Sequence, residues 1–337
     1  MRKAIFGILF SAGLVLAFSA PGRAQAETYD FAISEAFLKQ LAEGSTIQPV
    51  LKVRMNARTR RVHTLADDCE IHMAATPQGL ELGWPPDIVV EPPNLCKFPP
   101  VGTKGKPSEK KLREEIWPKH LDDKVMGKTC DVKGFPRIFT EHAQGAGDPA
   151  NPNHVFEVHP ALSITCEGEE VSFASFLTYF PGMRAVKPAT AVSCIDRRKL
   201  EVRYEDGQYV FREDGGQCGN FAIVEVGSVN PDWIRKIDGG HSAIARVSPD
   251  GKSRTTLKIY TLSGSDADKW LAEVKKQGQG SERRFLHGMF TYDYYSIVKS
   301  IRTRDGNWLK PDQWTQVEFP LAFVVFGAAQ SAPWEEE

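Results

Sequence analysis

The sequence lacks the short motifs that mark several large classes of enzyme. It contains no G-x-S-x-G, the turn that presents the serine nucleophile of many hydrolases, and no H-E-x-x-H, in which two histidines bind zinc from one face of a helix. The glycine-rich stretch DGGQCGN at 214–220 is followed by no helical pattern, so it does not predict a phosphate-binding loop. We therefore expect none of these three kinds of active site.

Basic tracts and long apolar runs are also scarce. The chain of 337 residues has 42 Lys and Arg against 43 Asp and Glu, and its one dense basic patch is NARTRRVH at 56–63. Tight sequence-independent binding of nucleic acids depends on many cations that neutralise phosphates, so no strong nucleic-acid signature is present. After residue 26 no apolar run is long enough to predict a transmembrane helix.

The first 26 residues have the pattern of a secretory signal peptide. Arg2 and Lys3 precede the apolar run AIFGILFSAGLVLAFSA, and AQA at 24–26 supplies the small residues that signal peptidase accepts. We expect cleavage after Ala26, which lowers the formal net charge from −1 to −4, and a periplasmic or secreted mature chain. An uncleaved membrane anchor is the alternative, which Pro21 and Gly22 disfavour because they interrupt the helix.

The six cysteines all follow the expected cleavage site. An even number of cysteines in an exported chain predicts disulfides, here three. The sequence has no C-x-x-C pair, so a cysteine metal cluster is not indicated. Sequence alone allows fifteen pairings, among which we favour sequence neighbours because each pair then closes a local loop. The residues are Cys69 with Cys96, Cys130 with Cys166, and Cys194 with Cys218.

Short β-type runs separated by turn residues dominate the mature chain. The pattern predicts a mainly β protein with a few short helices, in which an OB-like small barrel precedes a second β-rich domain. The helices are expected in ISEAFLKQLAEG, in residues 108–125 with an interruption or bend at Pro118, and after Ser265, which can cap it. Asp206-Gly207 and Asp250-Gly251 predict tight turns between strands. The expected segments are a signal peptide at 1–26, an N-terminal helix at 27–46, the barrel at 47–168, the second domain at 169–330 and a flexible acidic tail at 331–337.

Two similar motifs lie within the expected barrel. CEIHMA at 69–74 and FEVHPA at 156–161 share a glutamate, a β-branched residue and a histidine. Because side chains alternate along a strand, Glu70 and His72 should share one face, as should Glu157 and His159. These polar faces should point to solvent or into a cleft against the second domain, whereas His154 should point away from Glu157 and His159 if the strand is regular.

The surrounding motifs resemble those of a group of uncharacterised exported bacterial proteins. The likeness covers residues 50–165 and comprises ADDCEIHM, IVVEPPNLC and VKGFPRIFTEHAQGAGDPANPNHVFEVHPALSI. This chain departs by placing Cys69 within the first motif and by inserting GDPANP before the second. The resemblance implies an exported OB-like domain and supplies no activity. The matching positions are Asp68, Glu70, His72, Glu91, Cys96, Gly134, His142, Asn153, Glu157, His159 and Pro160.

Three interpretations of the E-x-H motifs remain open. Imidazole and carboxylate groups could bind one divalent transition metal such as zinc, with His72, His142, Glu157 and His159 as the candidate ligands. Alternatively, Glu70, His72, Glu157 and His159 could be catalytic acid–base groups, with Arg137 as an electrophilic clamp. The simplest interpretation is a structural Glu157–His159 pair that locks the barrel, or polar side chains that face water.

The second domain concentrates tyrosine and tryptophan residues, most of which we expect in its core. Tyr292, Tyr294 and Trp308 are candidates for a stacking platform for a ligand. The stretch LHGMFTYDYYSI faintly repeats VKGFPRIF, which suggests a second barrel-like unit, and RFLHGMFTYDYYSIVKSI is expected to form a long strand or strand pair.

These observations favour an exported, disulfide-bridged binding or envelope-associated module without catalytic activity and without a cofactor. Its partner would be an unknown ligand of the envelope or the extracellular space. The alternative is a metal-assisted, nuclease-like hydrolase that uses the paired E-x-H strands, which requires their polar side chains to meet in a concave site.

Overall fold

The computed structural model describes residues 30–56, 62–64, 66–143, 148–179, 184–215, 218–248, 255–278 and 282–332. The expected signal peptide and the last residues of the expected tail lie outside these ranges. Within them the chain is mainly β with short helices, as the sequence predicts. None of the helices described is long and apolar enough to cross a membrane.

The described chain begins with a short strand and an amphipathic helix, β1 (Phe31–Ser34) and α1 (Glu35–Glu43). Ser34 caps the helix, since its hydroxyl accepts a hydrogen bond from the backbone N–H of Phe37. Phe37, Leu38 and Leu41 are buried at the helical spacing that was expected. Strand β1, which lies inside the segment expected as a helix, pairs with elements far along the chain.

Five strands of the next segment close into a barrel. β2 pairs with β3, β3 with β5, β2 with β6 and β6 with β7, all antiparallel, and β7 closes the ring by pairing parallel with β5. This ring, the first barrel, has the OB-like architecture that was expected. The elements are β2 (Val50–Met55), β3 (Met73–Pro77), β4 (Gly83–Trp84), β5 (Ile88–Val90), α2 (Glu109–Lys111), a π-helical turn (Leu112–Ile116), α3 (Trp117–Lys124), β6 (Thr129–Ile138), β7 (Phe156–Cys166) and β8 (Glu169–Ser172).

The helical connection widens just before its proline. Pro118 lies in the first turn of α3, where its missing N–H breaks no hydrogen bond of that helix. The ring of a proline would clash with the carbonyl four residues earlier in a continuous α-helix, and the π-helical turn relieves that clash. The interruption or bend expected at Pro118 corresponds to this π-helical turn, which ends just before the proline.

The three disulfides join sequence neighbours, which confirms the favoured pairing: Cys69–Cys96, Cys130–Cys166 and Cys194–Cys218. Cys130 and Cys166 lie directly opposite each other on β6 and β7, so their bond staples two strands of the first barrel.

The rest of the chain builds a second closed ring and an outer sheet. The elements are a 3-10 turn (Ala174–Phe176), α4 (Pro188–Arg197), β9 (Lys199–Glu205), β10 (Gln208–Asp214), β11 (Phe221–Val229), a 3-10 turn (Pro231–Trp233), β12 (Arg235–Ile237), β13 (Gly240–Val247), β14 (Thr255–Leu262), α5 (Asp266–Gln277), β15 (Arg284–Tyr292), α6 (Tyr294–Ser300), β16 (Thr315–Gln316) and β17 (Leu321–Ala329). The outer sheet has the order β16-β9-β10-β1-β4, with a tight β9–β10 hairpin at Asp206 and Gly207 as expected.

The second ring, the second barrel, repeats the topology of the first. β11 pairs with β13, β13 with β14, β11 with β15 and β15 with β17, all antiparallel, and β14 pairs parallel with β17. In both barrels a helix joins the third ring strand to the fourth. The turn expected at 250–251 lies outside the described residues.

The weak repeat noticed in the sequence marks equivalent places in the two barrels. Gly134 on β6 and Gly288 on β15 each sit at a shift of register in the fourth ring strand. A Cβ atom on Gly134 would lie 2.5 Å from the carbonyl oxygen of Pro160, and one on Gly288 would lie 2.0 Å from that of Val324. Glycine is therefore required at both places because the neighbouring strand approaches too closely for a side chain.

The expectation of a long strand from 284 onwards is wrong in its second half. Strand β15 ends at Tyr292, and residues 294–300 form helix α6. Tyr294, Ile297 and Val298 are buried, a spacing typical of a helix, although their β-branched and aromatic character favoured a strand. Buried Asp293 precedes the helix and accepts hydrogen bonds from Ser296 and Tyr260.

The barrels touch through their equivalent fourth strands. Arg137 Nε on β6 donates a 2.8 Å hydrogen bond to the carbonyl oxygen of Phe290 on β15. The backbone N–H of Ile138 donates to the hydroxyl of Thr291 at 3.2 Å. All of these residues are buried, so the contact is part of the molecular interior.

Candidate functional site

The first E-x-H motif lies in an irregular segment just after a turn, rather than in the strand that was expected. Cys69 adopts a left-handed conformation with φ of 58°, and β3 begins only at Met73. The turn directs Asp68 towards His63, whose Nδ1 lies 2.7 Å from Asp68 Oδ1. Glu70 and His72 are both buried, so the chain brings them inward without a regular alternation.

The second motif lies in β7 and follows the alternation that the sequence predicts. Phe156 and Val158 belong to the apolar core, whereas Glu157 and His159 form a polar face directed towards the second barrel. The ring of His159 lies 5.9 Å from that of Phe221, the first residue of β11. The polar face is thus covered by the second barrel, one of the two placements that were expected.

His159 is the centre of a buried set of charged residues. Its Nε2 lies 2.8 Å from Glu70 Oε1, and its Nδ1 lies 2.9 Å from Glu91 Oε2 and 3.3 Å from Glu157 Oε2. Each of these residues is at most 1% exposed. We call the following six residues the buried network: Glu70, Glu91, Arg137, His154, Glu157 and His159.

Glu157 links the other two basic residues of the buried network. Arg137 NH1 lies 2.6 Å from Glu157 Oε2, and His154 Nε2 lies 3.0 Å from Glu157 Oε1. The expectation that His154 points away from Glu157 is therefore wrong, because His154 precedes β7 and is not subject to its alternation. Arg137 is fully enclosed, so it binds a carboxylate of its own chain.

Mutual contacts decide the charge states in the buried network. Burial disfavours protonation of His159, but the carboxylates of Glu70 and Glu91 outweigh it and raise the pKa of His159 well above its usual value. Burial likewise opposes ionisation of Glu157, but Arg137 outweighs it and lowers the pKa of Glu157 well below 4.5. The pKa of Glu91 falls to about 2 through His72 and His159, against its burial.

Glu70 and His72 respond in the opposite way. Burial raises the pKa of Glu70 well above 4.5, and it lowers that of His72 from 6.5. In both cases desolvation disfavours the charged form more than the neighbouring charges favour it. Burial therefore favours the neutral forms of Glu70, within the buried network, and of His72, beside it.

A cleft of about 540 Å³ opens beside the buried network where the two barrels meet. His72 connects the two, because it lines the cleft while its Nε2 lies 3.2 Å from Glu91 Oε1. A second cleft of about 500 Å³ adjoins the first and shares Glu141, His142 and Gly219 with it. The other polar side chains lining the first cleft are His63, Asp67, Asp68, Asn151, Arg184 and Asn220.

The remaining candidates from the sequence lie in different surroundings. His142 lines the cleft, with its ring 6.0 Å from that of His72 and 5.1 Å from that of His154. Tyr292 and Tyr294 are buried, so neither presents a ring face to a ligand. The ring of half-buried Trp308 lies beside Lys39 and Arg302, and the predicted aromatic platform therefore rests on Trp308 alone.

Three groups in the described chain bring potential metal-ligand atoms within 4.8 Å of one another. They are Glu70 with Glu91 and His159, Glu91 with His154 and Glu157, and His63 with Asp68 and His72. The first two lie wholly within the buried network, whereas the third lines the cleft. The proposed ligand set of His72, His142, Glu157 and His159 is thus divided between different places.

Sequence reasoning missed His63 as a site residue. It lies at the end of the basic patch at 56–63, and none of the motifs in the sequence analysis includes it. Its relation to the first motif appears only in the fold, where the backbone N–H of His63 donates to the carbonyl oxygen of Glu70 at 2.8 Å. The only signal in the sequence was the spacing of five residues between His63 and Asp68. Such a spacing is too common to identify His63 as a site residue.

Comparisons with family models, with curated proteins and with solved structures gave no match to this chain. The resemblance noted for residues 50–165 therefore remains a prediction, with the closed five-stranded barrel consistent with it.

Proposed function

We propose that this chain is an exported binding protein that takes a polar ligand in the cleft between its two barrels. Three disulfides fit a protein of the periplasm or the extracellular space. The expected signal peptide agrees with that compartment. The proposal refines the binding or envelope-associated module expected from the sequence by assigning the place where its ligand binds.

One observation carries the proposal: the cleft at the meeting of the barrels is lined by polar groups, while the charged groups behind it are paired with one another. Ligand sites occur preferentially at such junctions, where polar groups converge on a concave surface. Members of the buried network are at most 1% exposed. They therefore support the wall of the cleft and do not themselves reach a ligand.

The lining indicates the chemistry of the ligand. Asp67, Asp68 and Glu141 contribute carboxylates, whereas Arg184 and His142 contribute a guanidinium and an imidazole. Charges of both signs on one concave surface favour a ligand that itself carries both, such as a zwitterionic peptide. A purely apolar molecule would leave these groups desolvated and without partners.

A metal-assisted hydrolase is the second candidate, favoured by the convergence of both E-x-H motifs on His159. Glu70 and Glu157 contact that residue directly, and His72 joins it through Glu91. An acid–base role would require at least one of these groups to come within hydrogen-bond distance of a substrate. Only His72 lines the cleft, so the geometry supports binding better than turnover.

The test uses dialanine as a zwitterionic probe and glycerol 3-phosphate and glucose as comparison probes. We expect saturation-transfer NMR on the oxidised mature chain to show dialanine binding that Arg184→Ala and His142→Ala weaken. Trp233→Ala is the control, since Trp233 lines a separate surface groove with Arg246.

Turnover of bis(p-nitrophenyl) phosphate that Glu157→Gln abolishes in a folded protein would overturn the binding proposal in favour of the hydrolase. Absence of binding for all three probes, or binding that survives both cleft substitutions, would also overturn it.

A further inference from the structure

We propose that His63, Asp68 and His72 bind a divalent transition metal, zinc in the first instance, at the wall of the cleft between the barrels. All three residues belong to the first-barrel segment, so the metal can bind without the ligand proposed above. This assignment also replaces the ligand set expected from the sequence, of which only His72 is retained.

The three side chains already form a compact set. Their potential ligand atoms lie within 4.8 Å of one another, and His63 Nδ1 is 2.7 Å from Asp68 Oδ1. The rings of His63 and His72 meet edge to face with their centres 4.9 Å apart. Two imidazoles and one carboxylate are a donor set that suits zinc and related divalent ions. Small side-chain rotations would bring these atoms to coordination distance.

The backbone around these residues is firmly held. Cys69 is tied to Cys96 by a disulfide, and the N–H of Glu70 donates to Asp68 Oδ1 at 3.3 Å. The N–H of His63 is bonded to the carbonyl oxygen of Glu70. The two arms that carry the ligands are therefore linked to each other before any metal binds, which reduces the entropy lost on binding.

The buried network supplies the support that a metal-binding histidine needs. His72 Nε2 lies 3.2 Å from Glu91 Oε1, and Glu91 Oε2 lies 2.9 Å from His159 Nδ1. A carboxylate behind a ligating imidazole fixes the orientation of its ring and raises its basicity. In this arrangement His72 binds the ion through one nitrogen and contacts Glu91 through the other.

Access distinguishes this set from the two other groups with ligand spacing. Those groups consist of buried residues whose members contact Arg137 or one another, so a cation would have to displace existing charged partners. His63 and Asp68 are only partly buried and line the cleft. A tetrahedral ion bound there keeps its fourth position for water or for an oxygen of a ligand.

The experiment measures zinc alone on the oxidised mature chain after chelator treatment and dialysis. We expect isothermal titration and elemental analysis to give one zinc per chain. His63→Ala and Asp68→Asn should each weaken binding by a factor on the order of 100 or more, since each removes a direct ligand. Cobalt(II) in place of zinc should give a visible absorption band that both variants lose.

His241→Ala is the matched control. His241 Nδ1 lies 2.8 Å from Asp268 Oδ1 and this pair also lines a cleft, but no third ligand joins it in the described chain. We expect His241→Ala to keep full zinc affinity. Both site variants replace partly exposed residues, and circular dichroism will test whether each one folds. If one variant does not fold, the zinc affinity of the other tests the assignment.

Zinc binding that survives both site variants, or is lost in His241→Ala, would overturn the assignment. So would the absence of stoichiometric zinc in the wild-type chain. Because the titration contains no other ligand, its failure leaves the dialanine result standing, and failure of dialanine binding leaves the zinc result standing.

Discussion

At equivalent ring positions the first barrel pairs Arg137 with Glu157, whereas the second pairs Thr291 with Ala322. The third ring strand confirms the equivalence, because Val89 faces Glu157 in one barrel and Lys258 faces Ala322 in the other. Between the next paired positions β17 has Val324 alone, where β7 has both His159 and Pro160. The same closed ring is thus built with a buried Arg–Glu pair in one barrel and with a Thr–Ala pair at the equivalent place in the other.

This difference shows that the ring itself does not require the charges. Removing carboxylates and imidazoles from water is costly, and buried ion pairs often contribute less than apolar residues of the same size. The first barrel nevertheless keeps its charges on the side that faces the cleft. We infer that they are retained for the site, since they orient His72 and hold the cleft wall rigid.

The largest expected effect comes from breaking the charged face at Glu157. Glu157→Ala leaves Arg137 and His154 buried without their acceptor. We expect it to lower the free energy of unfolding by about 3–5 kcal/mol, measured by urea unfolding followed by circular dichroism.

The matched variant Arg137→Thr/Glu157→Ala copies the pair found in the second barrel. It should be more stable than Glu157→Ala alone, because it removes the buried guanidinium together with its acceptor. A double variant that is less stable than the single one would show that Arg137 supports the barrel contact through Phe290 more than through Glu157.

Two histidines beside Phe221 give the barrels opposite responses to pH. His159 lies in the buried network, whereas His287 on β15 stacks on Phe221 and has no hydrogen-bond partner for either ring nitrogen within the described residues. Burial lowers the pKa of His287 from 6.5 to about 4. The pKa of His159 is raised, so its contribution is full below 6.5 and is lost as pH rises towards its folded value.

For His287 the sign is reversed, because the unfolded chain binds the proton first. Between about pH 6.5 and pH 4 the His287 contribution to the free energy of unfolding should fall by about 3 kcal/mol in total. His287→Phe removes this titration. We expect the free energy of unfolding of the variant, measured by urea unfolding from pH 4 to 8, to rise relative to that of the wild type as the pH falls.

Groups common to both proteins, including Glu70, cancel in that difference. His287→Leu should give the same pH dependence if the effect comes from titration and not from packing of the new ring. A difference that is constant over the whole range would refute the role assigned to burial of His287.

Much of the fold was predictable because its signals are local. The disulfide neighbours, the Asp206-Gly207 turn and the Ser265 cap each depend on residues close in sequence, and all three agree with the structure. The helix at 294–300 was missed because Tyr294, Tyr295 and Ile297 fit a strand by composition. Only the burial of Tyr294, Ile297 and Val298 at helical spacing, set by packing, distinguishes a helix from a strand here.

The site was predictable only in part because its contacts span distant segments. Alternation placed Glu157 and His159 together, but no local pattern shows that Glu70 lies on the opposite side of the same imidazole. His154 was misplaced because the exact start of β7 decides its direction. His63 was overlooked because its partner Asp68 is reached through a left-handed turn at Cys69.

The smallest expected change in the free energy of unfolding comes from the N-caps of the helices that join the third and fourth ring strands in the two barrels. Ser265 accepts a hydrogen bond from the N–H of Asp268 at the start of α5, and Ser108 accepts one from the N–H of Lys111 at the start of α2. Ser265 is fully buried, whereas the Ser108 bond is exposed to solvent. Ser265→Ala should lower the free energy of unfolding by about 1 kcal/mol, since it removes a buried acceptor that water replaces less easily.

Water can replace the hydroxyl at Ser108, so Ser108→Ala should cost no more than about 0.5 kcal/mol. Urea unfolding of both variants, with Ser265→Thr to restore the acceptor, measures the difference. Equal losses in the two alanine variants would mean that burial does not set the strength of these caps. A larger loss of free energy of unfolding in Ser265→Ala, recovered in Ser265→Thr, would show that the second barrel depends on this cap. In the first barrel, water takes over the same role at Ser108.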